Sequence, residues 1–139
     1  MEQSAFQFTP PELKYISYKS LDSFNPEIKA NVEIQVRSTV SEIVEIPDSE
    51  EQTATVSVSI KVGQEEENSP FVIEVTESAI FKWNKAAYSE EQLDALLTQN
   101  TVALLISYIR PIIASVTAAS RYPCYNLPYL DVTVMKKEN

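Results

Sequence analysis

The chain has 139 residues, with 20 acidic and 11 basic side chains, a net charge of −9, one cysteine and no histidine. That length suits one domain with a real core, and the acidic balance argues against nucleic acid and anionic membrane surfaces, because neutralising phosphate takes an excess of the opposite sign. The lone Cys124 excludes an internal disulfide and fits a reducing compartment.

Residues 1–11 read as a loose N-terminal arm, since Pro10-Pro11 blocks a helix and favours extended backbone. No basic segment followed by an apolar run opens the chain, so no secretory signal is expected. The longest unbroken apolar run, Val102 to Ile106, is far short of a membrane span, and the expected place is the cytoplasm. Glu12 to about Ser23 mixes apolar and polar residues as a strand at a sheet edge does, and Asn25-Pro26 breaks it. Ile28 to Ile46 holds an alternating strand, with Val32, Ile34, Val36 and Val40 opposed to Glu33, Gln35 and Arg37. After a polar turn at Pro47-Asp48-Ser49, Thr53 to Val62 alternates more cleanly: Ala54, Val56, Val58, Ile60 and Val62 against Thr55, Ser57, Ser59 and Lys61. The only glycine, Gly63, opens an acidic loop over 64–69. From Phe71 to Trp83, one face takes Phe71, Ile73, Val75, Ala79 and Phe81, and the other takes Val72, Glu74, Thr76, Ser78 and Ile80.

Three consecutive strands with short polar links predict a meander, and the first segment brings the antiparallel sheet to four strands. Ser89-Glu90-Glu91-Gln92 has the form of a capping box and starts a short helix through Leu93, Leu96 and Leu97. A second helix of roughly twenty residues follows, N-capped by Asn100. Its apolar stripe is Val102, Leu105, Ile106, Ile109, Ile112, Ile113 and Val116; Arg121 suits its C-terminal end and Pro123 forces the chain out. Residues 133–139 read as a frayed tail. Strands followed by helices make the fold class α+β, within a single domain over 1–139.

The sites of common chemistry are missing. Without histidine there is no His-based metal site and no Ser-His-Asp arrangement, and one glycine cannot make a phosphate-cradling loop. The paired carboxylates Glu50/Glu51, Glu65 to Glu67 and Glu90/Glu91 fall in turns or at a helix start, where solvent and the helix dipole account for them. Cys124 has no base to activate it. No catalytic residue, metal or cofactor is expected. What remains is apolar surface, because helices of one chain cover one face of such a sheet. Val72, Ile80, Phe24, Tyr15, Tyr18, Trp83 and Tyr88 either complete the core or an oligomer interface, or line a groove for another polypeptide.

Several stretches together resemble the SecB family of export chaperones. Leu105-Ile106-Ser107-Tyr108-Ile109-Arg110 is similar to that family's Leu-Phe-Pro-Tyr-Ala-Arg motif, and Tyr122-Pro123 and Asn126-Leu127 to its Phe-Pro and Asn-Leu-Ala-Pro tail. Ser107 stands where the family usually has proline, and Pro111 follows the arginine. Phe71-Val72-Ile73-Glu74-Val75 with Ala79-Ile80-Phe81, Pro26-Glu27-Ile28-Lys29 and Ile16-Ser17-Tyr18 are similar to other family segments, so the resemblance runs from about Glu12 to Val132. It implies a non-catalytic dimer of dimers, with Leu105, Ile109, Ile112 and Val116 in helix or oligomer packing. It also implies that unfolded or precursor polypeptides are held in an apolar groove of Phe24, Ile28, Val32, Ile80 and Phe81. In the family clients pass to the SecA motor, whose docking patch would take Val72 and Glu74; its first-strand acidic positions fall here on Tyr15 and Lys19. A dedicated binding module on the same fold, serving a toxin–antitoxin pair or a single partner, is the competing reading.

Overall fold

The computed structural model describes residues 5–134. Six strands form one antiparallel sheet: β1 (Phe6–Phe8), β2 (Glu12–Ser20), β3 (Ile34–Val40), β4 (Val44–Glu45), β5 (Glu51–Val62) and β6 (Phe71–Asn84). They fill four positions across. β1 and β2 both pair with one side of β6, β5 pairs with the other side, and β3 and β4 both lie on the far side of β5. The expected four-stranded meander is corrected in two ways. Both edges are interrupted strands, one broken at Thr9–Pro11 and one at 41–43. And β2 lies beside β6, not β3, so the order is that of a Greek key. The cause is the link between β2 and β3: residues 21–33 are too long for a hairpin and cross the end of the sheet. The arm expected over 1–11 contains β1, held by Phe6, whose ring stacks on Phe81 and Trp83. The end of the tail, 135–139, lies outside the described residues.

The crossover is laced to the β5–β6 turn. Asn68 Nδ2 donates to the carbonyls of Asn25 (3.0 Å) and Lys29 (3.1 Å), and its Oδ1 accepts from the Asn25 N–H at 2.8 Å. Ser69 Oγ donates to the Asn31 carbonyl. The turn depends on Gly63, at φ +88°, where a Cβ would lie 2.0 Å from the Phe71 carbonyl oxygen.

The two expected helices are one, α1 (Glu90–Thr117). Its capping box is complete: Gln92 N–H donates to Ser89 Oγ (3.1 Å), and Ser89 N–H donates to Gln92 Oε1 (2.9 Å). Asn100, expected as an N-cap, has helical backbone angles and makes no side-chain cap bond, because it ends a π-helical turn over Leu96–Asn100. A turn closed from i to i+5 lets Leu97 and Val102, five residues apart, both face the sheet. The helix stops at Thr117, before Arg121. Thr117 Oγ1 donates to the Ile113 carbonyl and accepts from Tyr125 N–H at 2.8 Å, which folds the tail back. α1 is long and apolar enough to cross a membrane by length and composition, but it is the core helix of this fold. Leu105, Ile109 and Ile113 are fully buried with Val56, Val58, Ile60, Val62, Ile73 and Val75 of β5 and β6. Each such side chain contributes about 1.5–3 kcal/mol.

Candidate functional site

The fold leaves apolar side chains uncovered in several places. The first is the crossover. Its loop is held by Asn68 and carries Phe24, Ile28 and Val32. Phe24 meets Tyr122 edge to face at 5.3 Å, Val32 packs against the core, and Ile28 is 58% exposed. A cleft of about 460 Å³ opens beside Val32, between residues 29–32 and the Glu67–Asn68 turn. The second place is the other end of β6, where Ile80, 47% exposed, lines clefts of about 210 Å³ with Phe8, Thr9 and Lys82. Thr9 fixes this corner: its N–H donates to the Ile80 carbonyl (2.9 Å) and its Oγ1 accepts from the Ile80 N–H (3.0 Å).

The five expected groove residues are therefore not brought into one groove. Phe24, Ile28 and Val32 lie at the Phe71 end of β6, about 30 Å from Ile80 at strand rise. Ile80 and Phe81, consecutive in a strand, face opposite sides, and Phe81 is buried between Phe6 and Phe8. A third cleft, about 250 Å³, escaped sequence reasoning. It lies between the β3–β4 link and the start of α1, lined by Val40, Ile43, Leu93 and Leu97 with Glu90 and Asp94 at its rim. The signal for it was the pair Ile43-Val44 exposed between Glu42 and Glu45.

Residues expected in helix or oligomer packing divide. Leu105 and Ile109 are spent on the sheet of their own chain, whereas Ile112 and Val116 stay half-buried on the helix flank with Leu104, beside the exposed Tyr108. Arg110 holds the tail onto the helix: Nη1 donates to the Leu127 carbonyl and Nη2 to that of Pro128 at 3.0 Å, with Leu127 buried beneath. Val72 and Glu74 are on the outer sheet face, opposite Lys19 and Lys61. Glu77 is the unexpected member of the core face. It is 3% exposed, its Oε2 has no hydrogen-bond partner, and burial, with a smaller push from Glu12, raises its pKa above the usual carboxylate value. Among the described residues, no group of three or more His, Cys, Asp or Glu side chains could hold a metal.

Residues 11–138 match the family described as preprotein translocase subunit SecB. The chain belongs to the SecB family. Its motif arginine, Arg110, is thus the residue that fastens the tail, and Asn126-Leu127 is the segment fastened. Among solved structures, the chain is similar to the SecB-like chaperone Rv1957 of Mycobacterium tuberculosis, solved in complex with a ChAD peptide from the Rv1956 HigA1 antitoxin. The two are 15% identical, with 91% of each chain covered and a TM-score of 0.66. It is also similar to a protein of unknown function from Streptococcus agalactiae, at 13% identity, covering 89% of this chain and 97% of that one, with a TM-score of 0.56. No curated protein sequence matches. These likenesses carry the SecB-like α+β fold, and the family carries the function of a chaperone.

Proposed function

We propose that this SecB-family protein is a cytoplasmic, non-catalytic holdase that binds non-native polypeptides on the apolar surfaces around Phe24, Ile28 and Val32 and around Ile80. The observation that carries the reading is the exposure of large aliphatic side chains beside clefts, within a family of chaperones. Non-native chains differ from native ones by exposed apolar side chains, so such surfaces select them without reading sequence. Several separate surfaces suit a long client, because weak contacts joined by one chain add up to avidity. We propose a dimer of dimers as the working form, which multiplies those surfaces and covers Ile112 and Val116.

For the destination of the client we favour a dedicated partner over export. Val72 and Glu74 match the family's SecA patch, yet lysines stand opposite both, and Lys19 already meets Glu65 at 3.0 Å. Lysines there reduce the attraction for a basic partner. The similar structure bound to an antitoxin peptide points the same way.

The test is aggregation of two unrelated denatured proteins after dilution, with rising amounts of this protein. Suppression of both, weakened by Ile28→Asp, is expected of a holdase, and no suppression of either overturns it. Retention of SecA on the immobilised protein would reverse the preference for a dedicated partner.

A further inference from the structure

Residues 21–33 form no helix or strand, yet they carry Phe24, Ile28 and Val32. Val32 packs against the core and Phe24 meets the Tyr122 ring, whereas Ile28, 58% exposed, takes its place from its backbone. That backbone is a turn: the Ile28 N–H donates to the Asn25 carbonyl at 3.4 Å, and the Glu27 N–H to Asn25 Oδ1 at 2.9 Å. Both ends of the turn are pinned by one side chain. Asn68 Oδ1 accepts from the Asn25 N–H, and Nδ2 donates to the carbonyls of Asn25 and Lys29, which bracket Ile28.

An asparagine in a turn ordinarily bonds its own backbone two residues on. Among the described residues, the side-chain hydrogen bonds of Asn68 run instead to Asn25, Ile28 and Lys29, 39 to 43 positions away. The turn that carries Asn68 closes without them: Ser69 Oγ accepts from the Gln64 N–H at 3.1 Å, and the Ser69 N–H donates to the Glu67 carbonyl at 2.9 Å. Further along the crossover, Asn31 is held separately. Its N–H donates to the Asn68 main-chain carbonyl at 2.9 Å, and its own carbonyl accepts from Ser69 Oγ. The amide of Asn68 is therefore spent on the few residues around Ile28. We propose that Asn68 is a positioning residue for the client surface, its amide holding Ile28 in place beside the cleft at Val32. The assignment rests on the holdase reading. Lys29 and Asn68 both line that cleft, so the same hydrogen bonds set how far Ile28 stands from it. The ordering of the loop is met once, in folding, and a client need not meet it again on binding.

Asn68→Ala removes the amide, and Asn68→Asp keeps the acceptor for the Asn25 N–H while losing the donors. The probe is fluorescein-labelled lysozyme kept unfolded by reduction and thiol alkylation, followed by anisotropy. Both variants should bind it about tenfold more weakly than the wild type does, and Asn68→Ala should melt close to the wild type. Backbone amide order parameters at Glu27 and Ile28 should fall from about 0.85 to below about 0.6, while that of Asn31 should hold. Ile28→Asp should weaken the wild type and add little in the Asn68→Ala background, since both changes act at one surface; a residue that mattered for stability alone would give additive losses. Equal binding by the wild type and both variants, unchanged order at Ile28, or simple additivity with Ile28→Asp overturns the assignment to Asn68. A wild type that does not bind the unfolded probe overturns instead the holdase reading beneath it.

Discussion

Glu77 lies on the core parity of β6, between Val75 and Ala79, where every other strand residue from Phe71 to Trp83 is apolar. Its carboxylate is desolvated there, so the folded-state pKa stands above the unfolded one. The folded protein then binds more protons than the unfolded chain between the two values, and this residue's contribution to stability falls as pH rises through that window. Glu77→Gln, which cannot ionise, should stabilise the protein by on the order of 1 kcal/mol at neutral pH. The gain should vanish below the ordinary glutamate pKa. Urea midpoints of both proteins across pH measure it, and a gain that is constant with pH would show that charge is not the cause. An alternating pattern shows which parity is buried, yet it gives no warning that one position on that parity is acidic. This is why Glu77 was missed.

The elements were legible where periodicity was local. β5 and β6 could be read from strict alternation, and the capping box from Ser89 and Gln92. Neighbours in the sheet could not, since alternation says which face a residue takes and not which strand lies beside it; the place of β2 depends on a thirteen-residue crossover. The helix was divided in error because the polar Thr98, Gln99 and Asn100 interrupt the apolar run, where the chain makes a π turn instead of an end. The site suffered similarly: Ile28 and Ile80 are exposed as expected, but a strand's own length separates them. Tail docking was not legible at all, and the Arg110 fork is one of its contacts, beside the Thr117–Tyr125 hydrogen bond and the buried Leu127. Arg110→Ala should cost about 2 kcal/mol at that contact and speed amide exchange at Tyr125, whose N–H is bonded to Thr117 Oγ1, by roughly tenfold or more. Arg110→Lys should restore little of it, because an ammonium lacks the two-donor geometry. Unchanged exchange in the alanine variant would mean that the remaining contacts hold the tail.

At the scale of the whole molecule, folding and the proposed assembly would draw on different sides of α1. Ile109 is fully buried on the chain's own sheet, so Ile109→Asp places an unpaired charge in the core and should unfold the protein, costing several kcal/mol. Ile112 and Val116 lie on the flank, and Ile112→Asp/Val116→Asp should leave the circular dichroism spectrum native while lowering the native mass. An unchanged native mass in the double variant would count against the proposed assembly through this flank.

The Greek-key order also has a consequence in time. A ribosome delivers β2 first, but its partner β6 begins about fifty residues later, a wait of roughly 3–10 s at translation speeds of ~5–20 residues per second. Until then Leu13, Ile16 and Tyr18 belong to a strand without a neighbour. For those seconds the nascent protein is itself the kind of chain it is proposed to hold.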